Sequence, residues 1–61
     1  MRCYLIINEE KLELEDSFMA QFLLVDTPVY VEKRQYLVKE VKKVLTRAGN
    51  SLDSILEITL E

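Results

Sequence analysis

The chain has 61 residues, 49% hydrophobic and 31% charged, with eight basic and eleven acidic side chains and no histidine. A chain this short is a single domain, residues 1–61, and buries only about 60% of the surface its unfolded form exposes, so its stability needs a supplement. The composition excludes disorder, the lone Cys3 excludes an intramolecular disulfide, and one cysteine without histidine cannot build the standard zinc sites.

Association with another chain is the supplement that remains. The longest nearly apolar run, residues 18–25, is interrupted by Gln21 and falls far short of the ~20 residues that cross a bilayer. The opening MRCYLII is too short for a signal peptide and runs straight into Asn8, Glu9 and Glu10. Together with an unpaired thiol, these features place the chain in the cytoplasm and away from membranes.

In chain order, RCYLIIN (residues 2–8) is rich in β-branched and aromatic side chains and predicts a strand. KLELE then alternates, with Leu12 and Leu14 on one side and Lys11, Glu13 and Glu15 on the other, which makes a hairpin turning near residues 8–10. Asp16-Ser17 punctuates the chain before FMAQFLLV. At 100° per residue the apolar side chains of that run point in every direction, so a third, buried strand is expected. A short helix capped by Asp16 or Ser17 is the alternative.

Asp26-Thr27-Pro28 ends that segment, because proline lacks a donor and biases its predecessor toward extended geometry. Val29, Tyr30 and Val31 continue as a short extended piece, or else Thr27 caps a helix that begins at Pro28. Over residues 32–48, Leu37, Val38, Val41, Val44, Leu45 and Ala48 recur at the spacing of one helical stripe, and Gly49 suits the left-handed residue just past a helix. The tail sets Leu56, Ile58 and Leu60 against Glu57, Thr59 and Glu61, the alternation of a half-solvated strand. The expected fold is α+β: a small, mostly antiparallel sheet in the order β-β-β-α-β, with one amphipathic helix packed on one face.

That layout directs the functional reading. One helix covers one sheet face, lined by Cys3, Leu5 and Ile7, Leu12 and Leu14, and Leu56, Ile58 and Leu60. The other face keeps Tyr4, Ile6, Met19, Leu23 and Ile55, more apolar surface than a monomer normally leaves in water. A second copy is the simplest cover, so the chain is expected to be a homodimer that binds another macromolecule. It is expected to be no enzyme and to need no cofactor or metal. Histidine is absent, Cys3 alternates with core leucine and isoleucine, and one glycine cannot make a phosphate-cradling loop.

Charge offers a second reading. Residues 31–48 hold six basic and two acidic groups, against two basic and six acidic before them and three acidic after. On the expected helix, Lys39, Lys42, Lys43 and Arg47 lie opposite the apolar stripe with Tyr36 among them, a face that could bind nucleic acid or an acidic protein. The competing explanation is a solvated face that complements the helix dipole and the acidic flanks, in a chain whose pI is near 4.9.

Overall fold

β-Branched and aromatic side chains recur along nearly the whole chain, and they favour extended backbone. The computed structural model, which describes residues 2–61 and for Ser17 the backbone alone, is accordingly built of strands. These are β1 (Arg2–Ile7), β2 (Glu10–Leu14), β3 (Pro28–Val31), β4 (Arg34–Ala48) and β5 (Ser51–Leu60), and they form one sheet in the order β2-β1-β5-β4-β3. Neighbours are antiparallel except β1 and β5, which run parallel. A single turn of helix, α1 (Ser17–Ala20), is the only helix among the described residues.

Three two-residue turns set the registers. Ile7 opposite Glu10 and Val31 opposite Arg34 close the first two hairpins, with both turn residues at positive φ: Asn8 at 50° and Glu9 at 69°, Glu32 at 49° and Lys33 at 71°. This is the type I′ pattern, whose twist matches that of the strands. Ala48 opposite Ser51 closes the third, where Gly49 takes φ 64° and Ser51 Oγ donates to the Ala48 carbonyl at 3.0 Å.

The expected α+β fold is therefore corrected to a curled, mixed five-stranded sheet. Residues 32–48 form no helix: Glu32 and Lys33 are a turn, and β4 follows from Arg34. A β-bulge explains the misleading spacing. The register shifts between Val38 and Glu40, so Val38 lies opposite Leu60 and Val41 opposite Ile58. An extra residue thus puts two valines three positions apart on one face, which imitates a helical period. Gly49 was equally ambiguous, since a helix end and a type II′ turn both call for positive φ.

Residues 18–25 form no strand either. Asp16 caps α1, its Oδ1 accepting from the Phe18 amide at 3.1 Å and the Met19 amide at 3.2 Å; the side chain of Ser17, the alternative cap, lies outside the described residues. The tail, expected to be half-solvated, is the middle strand β5, paired on both sides, with Leu56, Ile58 and Leu60 buried.

The expected covered face does form. Cys3, Leu5 and Ile7 lie opposite Leu56, Ile58 and Leu60 on one side, while Cys3 and Leu5 lie opposite Leu14 and Leu12 on the other. Side chains directly opposite share a face, so these sets make one layer. Its cover is buried Ala20 of α1 with half-buried Leu23, Val29, Val31 and Tyr36 packed against it. Beyond this core the β4–β5 hairpin runs on: β3 ends at the Pro28–Leu37 pair and β1 at the Arg2–Ile55 pair, so among the described residues β4 has no outer strand from residue 39 and residues 45–54 are two-stranded. Residues 39–54 form an arm, three strands wide at its base and two beyond the Val44–Ile55 pair, on a molecule 42 Å long.

Two stability outcomes follow from this packing. Ile58, fully buried near the end of β5, is expected to cost about 2–5 kcal/mol when changed to Ala, read as a lower urea midpoint. Replacing Glu32-Lys33 by Asn-Gly is expected to raise stability by about 1 kcal/mol, because an L side chain at positive φ costs roughly 1–2 kcal/mol that glycine avoids in part. A helix starting near residue 32 would instead be weakened by that glycine.

Candidate functional site

Strand alternation decides where every candidate side chain points. With Cys3, Leu5 and Ile7 inward, Tyr4 and Ile6 occupy the opposite face, and Ile55 joins them through its pairing with Arg2. Met19 and Leu23 do not. Met19 is on α1, which lies over the core layer, and Leu23 packs on the core itself. The five positions expected to form one surface are therefore divided between two sides of the sheet.

The Tyr4 side is also not bare. Tyr4 sits between Glu13 and Glu57, and Lys11 reaches over it from β2, its ammonium 4.5 Å from the centre of the Tyr4 ring and 3.8 Å from a Glu57 carboxylate oxygen. The ammonium thus lies over the ring as a cation–π contact, on a lysine side chain that is 51% exposed. Tyr4, Ile6 and Ile55 are half-buried.

The basic stripe is likewise divided. A helix would gather Lys39, Lys42, Lys43 and Arg47, but on β4 neighbours point opposite ways. Lys43 lies opposite Leu56 and Arg47 opposite Leu52 on the core-layer side, whereas Lys42 lies opposite Glu57 on the Tyr4 side and Lys39 falls within the bulge. Tyr36 packs against the core. The single basic face that the nucleic-acid reading needed is absent, because its helix is.

What the structure assembles instead is an apolar groove on the core-layer side of the arm. Its volume is about 440 Å³, and Ala20, Leu23, Leu24, Val41 and Leu56 line it, with Gln21 and Lys43 as polar lining. Around it the chain leaves large apolar side chains in water. Leu24 is 67% exposed, Phe18 65% and Phe22 61%, the two rings meeting edge to face at 5.3 Å. On the arm Leu45 is 59% and Leu52 65% exposed. Leu45 lies opposite Ser54 and Arg47 opposite Leu52, which sets the two leucines diagonally on the Val41 side.

None of Phe18, Phe22, Leu24, Leu45 and Leu52 stood out as a surface residue in the sequence. The usable signal was that the 18–25 run is apolar all round, which no single packed face can absorb. Among the described residues no helix is long and apolar enough to cross a membrane.

A hydrophobic dye is expected to brighten on the native protein. Leu24→Asp or Val41→Asp should at least halve that signal, and Tyr4→Asp should leave it unchanged; a titration of dye fluorescence against each variant reads the difference. No protein family, curated protein or solved structure matches the chain.

Proposed function

We propose that this chain is a small, non-enzymatic interaction protein, regulatory or accessory in kind, that works as a homodimer and binds another macromolecule through the apolar side of its arm. The observation that supports this reading is the outward placement of Phe18, Phe22, Leu24, Leu45 and Leu52 beside a groove. Large exposed apolar patches rimmed by polar side chains mark association sites.

The weakness of the core adds support. Among the described residues, the largest side chains wholly out of water are Ile58, Val38 and Cys3. A chain of this size seldom holds more than roughly 3–5 kcal/mol from its own core, so a partner that covers the patch also stabilises the fold. Catalysis draws no such support, with no histidine in the chain and Cys3 buried as an inert hydrophobe. The unpaired thiol fits a reducing compartment, and we take the cytoplasm as the place of action.

Native mass measurement of the complex drawn from its own cells tests the reading. The expected result is an assembly heavier than the 7.2 kDa chain. The double variant Leu45→Glu, Leu52→Glu should hold its partner at least about tenfold more weakly, because burying each leucine is worth about 1.5–3 kcal/mol and about 1.4 kcal/mol is tenfold in affinity. A wild-type chain that runs as a compact, stable monomer and retains nothing overturns it.

A further inference from the structure

A β-strand has two hydrogen-bonding edges, and on the arm β4 uses only one. Its first edge pairs with β5 through residues 38–48. Its second edge pairs with β3 from Arg34 to Leu37, and Val38 then accepts from the Asp26 amide and donates to the Thr27 carbonyl. From residue 39 to residue 48 that second edge meets no backbone partner among the described residues. A long, regular edge strand with apolar side chains on both its faces is a template for another strand.

We propose that the arm dimerises through this edge, β4 pairing antiparallel with β4 of a second copy about a two-fold axis at Val44. The inference rests on the reading of the chain as a homodimeric association protein and gives that dimer its geometry. A two-fold axis between antiparallel strands stands perpendicular to the sheet, so side chains that meet across it must belong to the same face. That restricts the axis to pass beside a residue, and charge then selects which one.

An axis at Lys42 or Lys43 opposes that lysine to its own copy, and an axis at Leu45 opposes Lys43 to Arg47. An axis at Val41 opposes Lys39 to Lys43 and leaves only residues 39–43 in the ladder, because Val38 is already engaged. Like charges directly opposite are unfavourable. An axis at Thr46 avoids them but pairs only residues 44–48. The axis at Val44 pairs residues 40–48 of one copy with 48–40 of the other and opposes no like charges. It sets Val44 on Val44, Lys43 beside Leu45, Lys42 beside Thr46, and Val41 beside Arg47.

The lysines on this edge therefore act as a register lock, excluding slipped pairings that an uncharged edge would permit. The same geometry brings Val41 and Leu45 of both copies onto one side of the joined sheet. The apolar patch is enlarged without being covered, which leaves it available to the further macromolecule.

Disulfide trapping tests the axis, in a Cys3→Ala background so that the introduced thiol is alone. Across an antiparallel pair, directly opposite Cα atoms lie about 4.5–5.5 Å apart, inside the roughly 4.4–6.8 Å a disulfide spans. Under mild oxidation Val44→Cys is expected to run at twice the chain mass in non-reducing electrophoresis, while Leu52→Cys, on the other strand of the arm, stays single. Hydrogen exchange on the unmodified protein gives a second reading that depends on no substitution. Every second amide within residues 41–47 should be protected at micromolar concentration and should exchange faster on dilution. An assembled protein whose Val44→Cys form links no better than Leu52→Cys, with those amides unprotected, overturns the edge pairing and leaves the apolar-patch reading standing.

Discussion

The pairing of β4 with β5 is the interaction on which the rest of this molecule depends. β5 is the middle strand of the sheet, parallel to β1 and antiparallel to β4, so it joins the amino-terminal hairpin to the carboxy-terminal one. Its inward side chains Leu56, Ile58 and Leu60 are the centre of the core. A tight two-residue turn at Gly49 makes this pairing local in the chain, so little loop-closure entropy opposes it. The parallel β1–β5 contact is different, because it closes almost the whole chain into a loop.

That dependence has a cost in geometry. β4 and β5 are longer than their outer neighbours, so the hairpin continues past the point where a core can form around it. Side chains on both faces of the extension stay in water, and among the described residues so do the outer backbone edge of β4 and, before Ile55, that of β5. The 18–25 segment has a related problem. Only Ala20 and, in part, Leu23 reach the core, and Phe18, Phe22 and Leu24 remain outside it. Apolar surface left over at two places on the same side of the sheet follows directly from a chain too short to wrap its own longest element.

How legible was this in the sequence? The first hairpin was, because residues 2–14 combine a dense β-branched run with clean alternation. The inward identity of Leu56, Ile58 and Leu60 was as well, since period-two alternation has one geometric meaning in an extended strand. The turn at Glu32-Lys33 was not. Neither residue is a usual occupant of positive φ, so nothing local marks the end of β3 or the start of β4. Without that turn the long run to Ala48 invites a helical interpretation, and the bulge at residues 38–40 completes the imitation. The grouping of the surface positions depends on the same elements. Tyr4, Ile6 and Ile55 do share a face, but Met19 and Leu23 join it only if residues 18–25 extend as a strand, and that segment instead opens with the helical turn α1. The basic stripe required a helix to gather its charges.

By itself, the sequence determined that this chain lacks the means to stabilise itself with a disulfide or a histidine-containing metal site, that Cys3 belongs inside, and which side chains of β1, β2 and β5 line the covered face. Those are matters of residue type and of a two-residue period, and both act locally. The tertiary structure alone decided that residues 34–48 extend rather than coil, because β5 offers them a full ladder of hydrogen bonds that no local propensity reports. It also decided which apolar side chains are surplus. Surplus is a property of how much surface the assembled layers can cover, and the layers exist only once strands distant in the chain have met.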